Sequence, residues 1–432
     1  MVGTRPAMLA PMEHNPTLDV LPDHARVLDA PGLWLEGTAV DQLGAIARQP
    51  DCVRAVGLPD LHAGPGVPIG AAFAFRDTFR PSLVGTDVGC GVRVMVVSRV
   101  RARGDDLERR VREIVAGPAL PDVDPGALFR AVWQSGVHGL LRVPGVPPTL
   151  ASLVEAEGET SPADQPGTEP PSEAQPAPCP DLPELGAALG TVGGGNHFLE
   201  ASRVARLVDK PFAAALGMKH GGFAVVAHSG SRGLGAWLAA RYGGRTLEGG
   251  EREAYLGELA GTVRFAETNR LVLAWRMLRA LGAAKNSRVT GRFDVTHNTV
   301  VRQTVDGAPA WVFRKGSAPA NRDQPTIVLG SRGTPSWVMR GRGNPACLSS
   351  VAHGAGRKMA RSEAVAKLKQ RYRRSELVRT PLGGRVICDD NHLLYAEHPD
   401  AYKDVSVVVD ALEQHDAATR VASLEPVVTV KR

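Results

Sequence analysis

The sequence has few aromatic residues and no apolar run long enough to cross a membrane. Phe, Trp and Tyr make up 5% of its 432 residues, and no stretch of about 18 apolar residues occurs. Five cysteines are present, but none forms a CxxC pair, and an odd number argues against a disulfide framework. The N-terminus lacks the sustained apolar core of a signal peptide. We therefore expect no membrane association and a reducing, cytoplasmic setting.

Three common catalytic signatures are also missing. There is no Walker loop of the form G-x-x-x-x-G-K-[ST], no clear dinucleotide-binding glycine fingerprint and no G-x-S-x-G elbow. Glycine (48) and proline (33) are abundant instead, which favours an enzyme with many loops over a helical bundle. Strand and helix patterns are mixed, so both α/β and α+β folds remain open. The predicted strands are 25–28, 224–227, 292–295, 310–314, 326–329 and 426–431, and the predicted helices are 36–48, 99–116, 125–141, 251–281 and 355–372.

Charge is unevenly distributed along the chain. The formal net charge is +6, yet residues 155–180 contain six acidic residues, seven prolines and no Lys or Arg. Such a composition cannot build a core. The remainder is basic, which suits a polyanionic partner such as RNA, although solubility explains the charge equally well. We predict a flexible tail over 1–24 and one domain over 25–432, interrupted by a disordered acidic insertion at 155–180.

Asp87 and Cys90 lie in the glycine-framed run LVGTDVGCGV, after an apolar stretch that we interpret as a strand. Gly89 and Gly91 permit close approach of the backbone. Carboxylate and thiolate are metal ligands, and a thiolate can bridge two ions. A lone cysteine is more often a small buried apolar residue, so both interpretations stay open.

Three histidines lie in runs of small residues: His197 in TVGGGNHFLE, His228 in HSGSRG and His297 in THN. Glycines expose backbone N–H groups that can surround a phosphate, and Arg232 in the second run suits bidentate phosphate contact. Imidazole is a common metal ligand. A structural histidine in a tight turn is the competing interpretation at each run.

His353 lies in the run HGAGR, next to the predicted helix 355–372. The N–H groups and dipole of a helix N-terminus favour an anion, and a histidine beside an anion can attack phosphorus. Asp60 and His62 in PDLHAG are candidate orienting residues, and LGSRGT is a candidate nucleotide loop. Ordinary loops explain the last two motifs as well.

Taken together and in order, these motifs resemble the RtcB family of RNA ligases. The resemblance covers residues 25–150 and 182–432 and includes the later runs AYKDV and the terminal VK. It implies one compact α+β catalytic domain with central β-sheets and peripheral helices. The segments 33–37 and 59–73 resemble a bacterial RNA-repair subgroup that is associated with a release-factor homologue.

The resemblance implies an enzyme that joins 2′,3′-cyclic phosphate or 3′-phosphate RNA ends to 5′-hydroxyl ends, in RNA repair or tRNA splicing. Its cofactors would be GTP and two Mn²⁺ ions, although thiolate and imidazole by themselves favour zinc. Its partner would be broken tRNA or rRNA. We expect a monomer and leave open whether an activating protein is needed. A cyclic phosphodiesterase without ligation and a non-catalytic RNA-binding relative are the alternatives, and neither would need His353.

The resemblance also implies residue roles. One Mn²⁺ would bind Asp87, Cys90 and His197, the other Cys90, His228 and His297, and His353 would become guanylylated. Arg232 and Arg357 would contact RNA phosphate. The loop departs from the family at Arg332, where methionine is common. The guanine nucleotide would contact Asn196, His197, Phe198, Leu199, Glu200, His297, Asn298, Leu329, Gly330, Ser331, Arg332, Ser336, His353, Gly354, Ala355, Gly356, Tyr402 and Lys431.

Overall fold

Two large β-sheets organise the computed structural model, which describes residues 18–98, 100, 104–157, 168–169 and 177–432. Neighbouring strands in the first sheet are antiparallel, except that β1 and β2 are parallel. Its strands follow the order β1 (Ala25–Val27), β2 (Cys52–His62), β3 (Ile69–Phe75), β10 (Ala308–Lys315), β9 (Asn298–Val305) and β5 (Thr168–Glu169).

Four of the five residues predicted to bind metal lie in the second sheet or directly beside the end of one of its strands: His228 is in a strand, and Cys90, His197 and His297 adjoin strand ends. A short strand, β15 (Arg385–Ile387), pairs in parallel with β16 (Ala418–Val430) of this sheet. Strands β11 (Ser317–Pro319) and β14 (Ser350–Ala352) form a separate two-stranded sheet. The main strands follow the order β12 (Pro325–Val328), β13 (Ser336–Gly341), β16 (Ala418–Val430), β6 (Phe198–Leu207), β7 (Phe223–Ser229), β4 (Gly91–Val97) and β8 (Val289–Thr296).

Helix α7 (Gly249–Ala280) is the longest described helix and is buried along most of its length because it packs on β4, β7 and α3. The fold is therefore α+β, as predicted. None of the described helices is both long and apolar enough to cross a bilayer. The other helices are α1 (Gly37–Ala47), α2 (Gly104–Ala116), α3 (Pro125–Ser135), α4 (Pro148–Glu155), α5 (Lys210–Ala215), α6 (Leu234–Tyr242), α8 (Arg361–Arg371), α9 (Arg374–Leu377), α10 (Asn391–Ala396) and α11 (Val405–Gln414).

Aromatic side chains are concentrated in the core of the first sheet. Phe79 makes edge-to-face contacts with Tyr255, Trp311 and Phe313 at ring-centroid distances of 5.5, 5.0 and 5.2 Å. Such pairs contribute about 0.5–1.5 kcal/mol beyond the burial of their area. This rigid core supports the loop that leads from β3 towards Asp87.

Two predicted elements are wrong where they adjoin the site. The run before Cys90 is a 3₁₀ turn (Pro81–Leu83), and the strand begins after it, at Gly91. The helix predicted at 355–372 begins only at Arg361, so no helix N-terminus lies next to His353. Gly356, with φ of 71°, keeps the intervening chain out of the helical conformation. The other predicted strands and helices are confirmed, although several boundaries differ; the helix at 125–141 is α-helical only to Ser135.

The predicted tail and insertion fall mostly outside the described residues, namely 1–17, 158–167 and 170–176, and remain predictions. The described ends of the predicted insertion, 155–157 and 177–180, contact the rest of the protein. Glu157 forms ion pairs with Arg93 and Arg292 at 2.7 and 3.2 Å. On the other side, the Trp133 indole N–H donates to the Ala177 carbonyl at 2.7 Å.

Candidate metal and phosphate site

One cavity of about 1070 Å³ is lined by residues from both large sheets. It brings together side chains that are up to several hundred residues apart in the sequence, which is the arrangement that the motifs predicted. Predicted site residues among its lining are Asp87, Asn196, Phe198, Glu200, His228, His297, Asn298, Leu329, Gly330, Ser331, Arg332, His353, Gly354, Ala355, Gly356, Arg357, Tyr402 and Lys431.

Cys90, His197 and His228, which we call the sulfur cluster, meet at the start of β4. The Cys90 Sγ atom lies 3.2 Å from His197 Nε2 and 3.4 Å from His228 Nε2. One ligand atom from each residue lies within 4.8 Å of the others, and all three residues are buried. Strand pairing explains the meeting, because Val92 and Phe198 both lie opposite His228 in the sheet.

Asp87 and His297, the other two predicted ligands, border the sulfur cluster. The Asp87 carboxylate lies 3.4 Å from His197 Nε2. The His297 ring centroid is 5.1 Å from that of His228, and its backbone N–H donates to the Cys90 carbonyl at 2.8 Å. The structure therefore brings all five predicted ligands together, with three of them in the tightest group.

The sulfur and nitrogen atoms of the sulfur cluster are suited to bind a metal ion. Among the described residues, Nδ1 of His197 and Nδ1 of His228 are buried without a hydrogen-bond partner. Burial holds the pKa values of His228 and His297 well below their usual range, so both rings stay neutral and able to ligate. Burial, reinforced by Asp87, raises the pKa of the Cys90 thiol well above its usual value. A bound cation would favour the thiolate, so metal binding would release a proton.

Arg270, a fully buried residue of α7, supports the sulfur cluster and was missed by the sequence analysis. Its Nη1 donates to the Gly89 and Ser229 carbonyls at 2.7 and 3.2 Å, and its Nη2 donates to the Thr296 hydroxyl at 3.1 Å. Asp294 neutralises its charge at 2.5 Å. The available signal was an arginine directly before the apolar run 271–275 of the predicted helix. The three positions that it binds are direct neighbours in sequence of Cys90, His228 and His297.

His353 directly follows β14 and is held by a buried carboxylate. Its Nδ1 lies 2.6 Å from Asp60 Oδ2. Because an ionised carboxylate only accepts, Nδ1 carries the hydrogen, and in the neutral ring the lone pair is on Nε2. Burial opposes protonation of the ring, but Asp60 outweighs it and raises the pKa of His353 above its usual value. The His353 and His297 ring centroids are 4.9 Å apart, which places this lone pair near the metal-ligand group.

Asp60 and His62, the two candidate orienting residues, have different contacts. Asp60 binds His353, whereas His62 Nδ1 lies 2.8 Å from the Asp60 carbonyl, and burial lowers the pKa of His62 to about 4. Lys403, which the sequence analysis quoted only as part of a motif, donates to the Pro59 and Leu61 carbonyls at 3.0 and 2.7 Å. It thereby fixes the backbone on both sides of Asp60.

A second group of polar residues lies where β6 begins and β16 ends. Glu200 is buried and accepts hydrogen bonds from the hydroxyls of Ser202 and Thr429 at 2.7 and 2.6 Å. Burial raises the pKa of Glu200 to about 7, against these hydroxyl donors. Lys431 donates to the His197 carbonyl at 3.1 Å, and its Nζ lies 5.7 Å from the Phe198 ring centroid. This end of the cavity combines an aromatic face with hydrogen-bonding groups.

Glu397, also missed by the sequence analysis, engages two predicted site residues. Its carboxylate accepts from Arg357 at 3.1 Å and from Arg361 at 3.2 Å, and the Tyr402 hydroxyl donates to it. Arg357 is therefore bound within the protein. Arg232 is half-buried and donates weakly to the Val192 carbonyl at 3.4 Å.

Two predicted nucleotide residues point away from the cavity. Leu199 packs in the core between the second sheet and α7, as expected for a residue between two cavity-facing neighbours on a strand. The Ser336 hydroxyl accepts from the Gly330 N–H at 3.0 Å. Ser336 thus supports the backbone of the candidate nucleotide loop.

This geometry, a buried thiol–imidazole group beside a histidine held by a carboxylate, is suited to metal binding. A family model described as tRNA-splicing ligase RtcB matches residues 42–249 and 244–432. The chain therefore belongs to the RtcB family, and the resemblance drawn from its motifs is confirmed.

Curated relatives support the same assignment over nearly the whole chain. The RNA-splicing ligase RtcB2 of Escherichia coli is 32% identical over 423 residues, covering 95% of this chain and 96% of the relative. The RNA-splicing ligase RtcB of Mycobacterium tuberculosis is 31% identical, covering 90% of this chain and 100% of the relative. The tRNA-splicing ligase RtcB of Pyrobaculum aerophilum is 28% identical, covering 87% of each.

Proposed function

We propose that this protein is a GTP- and Mn²⁺-dependent RNA ligase that joins 2′,3′-cyclic phosphate or 3′-phosphate ends to 5′-hydroxyl ends. Family membership supports an RNA ligase. The finer assignment rests on the pairing of His353 with Asp60 beside the sulfur cluster. A hydrolase that only opened cyclic phosphates would not need a histidine that forms a covalent bond to phosphorus.

The residues that would hold two Mn²⁺ ions are Asp87, Cys90 and His197 for one and Cys90, His228 and His297 for the other. The buried, unpartnered imidazole nitrogens and the convergence on the Cys90 sulfur support this assignment. When bound, the ions would offset phosphate charge and polarise the bonds to phosphorus.

In the proposed first step, Nε2 of His353 attacks the α-phosphorus of GTP. A nitrogen–phosphorus bond forms, the bond to the β-phosphate oxygen breaks, and pyrophosphate leaves. The ring then carries a positive charge with its proton still on Nδ1, and the Asp60 carboxylate at 2.6 Å stabilises that charge. Asp60 thus has the same role toward His353 as the acid of a hydrolase triad has toward its histidine.

In the later steps, an oxygen of the RNA 3′-phosphate displaces His353 from phosphorus and forms an RNA–ppG end. A cyclic phosphate is first hydrolysed to a 3′-phosphate. The 5′-hydroxyl oxygen of the second RNA then attacks the 3′-phosphate, GMP leaves and the hydroxyl proton is released. His353 returns neutral, because Nδ1 keeps its hydrogen throughout.

Incubation of the full-length protein with GTP labelled at the α-phosphate, together with Mn²⁺, tests the proposal. We expect a covalent protein–GMP adduct that His353→Ala abolishes and that His138→Ala, at an exposed position, leaves intact. Absence of an adduct from the wild-type protein, together with opening of cyclic phosphates, would instead identify a phosphodiesterase and contradict the proposal.

A further inference from the structure

Arg332 is a buried cation whose side chain has unused donors. It is 6% exposed and lines the cavity, and among the described residues neither Nη1 nor Nη2 has a hydrogen-bond partner. Its own loop does not need the side chain, since Thr334 N–H donates to the Ser331 carbonyl and the Thr334 hydroxyl accepts from Ser331 N–H, at 3.0 and 2.8 Å. The guanidinium therefore has no role in closing the turn.

A guanidinium in this state is costly unless a ligand supplies acceptors. Burial lowers the pKa of Arg332 to about 10, which leaves it charged at neutral pH. Glu397, the carboxylate whose charge acts on it, is already bound by Arg357, Arg361 and Tyr402. An unpaired buried ion is strongly unfavourable even after the surrounding structure relaxes. The structure thus retains two desolvated donors that face no acceptor of the protein.

The groups around Arg332 indicate what the acceptors belong to. Arg332 acts electrostatically on Lys431, so it belongs to the same cavity end as Phe198 and the buried Glu200. Aromatic rings suit a flat base, and a carboxylate suits the N1–H and N2–H donors of guanine. A guanidinium suits the paired O6 and N7 acceptors on the adjacent edge of guanine. Adenine presents an amino donor in place of O6, so the same arginine would repel it.

We propose that Arg332 binds the O6 and N7 acceptors of a guanine base and thereby selects guanine over adenine. The inference rests on the proposed use of GTP and deepens it. It concerns this chain in particular, because methionine, which has no N–H donor, is common at this position in the family that the motifs resemble.

Calorimetric titration of the full-length His353→Ala variant, which cannot form the adduct, measures nucleotide binding alone. With Mn²⁺ present, we expect 7-deaza-GTP, which lacks only the N7 acceptor, to bind about tenfold more weakly than GTP, and ATP more weakly still. In the double variant His353→Ala/Arg332→Met, GTP should bind at least as weakly as 7-deaza-GTP binds to the parent, and the difference between the two nucleotides should disappear. Arg332→Lys keeps the charge without the fork and should fall between.

Two comparisons separate this role from a structural one. Removing an unpaired buried charge should leave the nucleotide-free protein at least as stable to heat, whereas loss of a structural arginine would destabilise it. Arg342→Met, at a surface residue paired with Asp416, should change neither stability nor nucleotide preference by much.

Equal binding of GTP and 7-deaza-GTP by the parent, or an unchanged penalty for 7-deaza-GTP in the Arg332→Met variant, would overturn the inference. Failure of the proposed function has a different signature. Nucleotide binding with the expected preference, but no adduct in the protein that retains His353, would contradict guanylylation and leave the role of Arg332 standing.

Discussion

His353 and the histidines of the sulfur cluster lie in adjacent parts of one site, yet their rings are held in opposite ways. His353 donates from Nδ1 to the buried Asp60 carboxylate, and its pKa is raised. His228 has an unpartnered Nδ1 and points Nε2 at the Cys90 sulfur, and burial holds its pKa well below the usual range. The charge of Asp60 raises the pKa of His353, whereas desolvation lowers the pKa of His228.

The difference separates two tasks that a single histidine environment cannot combine. A ring that becomes positively charged during phosphoryl transfer needs a carboxylate at the nitrogen that does not react. A ring that binds a cation must stay neutral, so burial without an anionic partner suits it. The two parts of the site are also supported by different residues: Lys403 fixes the backbone around Asp60, and Arg270 fixes the backbone around the metal-ligand group.

The largest effect is expected from removing the Cys90 sulfur, which belongs to the sulfur cluster and leaves His353 and Asp60 unchanged. Cys90→Ala should abolish tight metal binding and ligation together, because the thiolate is the ligand shared by both proposed ions. Titration with Mn²⁺ and an RNA-joining assay measure both. Cys347→Ala removes another buried thiol in the core of the first sheet and serves as the matched control. Full ligation by Cys90→Ala would contradict a bridging role.

A smaller effect is expected from the support beneath the metal ligands. Arg270→Lys keeps the charge but cannot bind Gly89, Ser229 and Thr296 at once, so metal affinity should fall about 10- to 100-fold. The position of the thiolate-to-metal absorption band of the Co²⁺-loaded protein should change as well. These are the readouts that a general loss of packing would not move.

The matched control for Arg270 lies on the same helix. Arg276 is also buried and donates to three backbone carbonyls, but these belong to Ile114, Gly117 and Gly190. We expect Arg276→Lys to reduce thermal stability without altering the absorption band of bound Co²⁺. Equal spectral changes in both variants would show that Arg270 has no particular relation to the metal ligands.

The smallest expected effect is a displacement of the pH profile of adduct formation. Neutral His353 is needed, so the adduct should be lost as the pH falls through its raised pKa, above the usual value of 6.5. Asp60→Asn removes the charge that raises this pKa, so the loss should move to lower pH by about one unit. Mn²⁺ binding measured at each pH accounts for protonation of the ligands. An unmoved profile, as expected for the control Asp51→Asn, would contradict the role of Asp60.

The motifs predicted more of the site than of its support. Cys90, His197 and His228 were recognised as candidate ligands because each lies in a short glycine-rich run, where few other roles explain a cysteine or a histidine. Arg270 and Glu397 were missed because charged residues are usually exposed, and only packing shows that these two are buried. The argument for an anion site at His353 also failed in part, since the helix predicted at 355–372 begins only at Arg361, eight positions after His353.

Local sequence determined the elements and the ligand types of this protein, because periodicity and glycine-rich turns act over a few residues. It could not determine which nitrogen of His353 is free, since that depends on Asp60, 293 positions away. Nor could it determine that Nη1 and Nη2 of Arg332 have no hydrogen-bond partner among the described residues, because that depends on which acceptors Arg357, Arg361 and Tyr402 have already bound. Protonation states and unused donors follow from neighbours in space, and only the tertiary structure decides those.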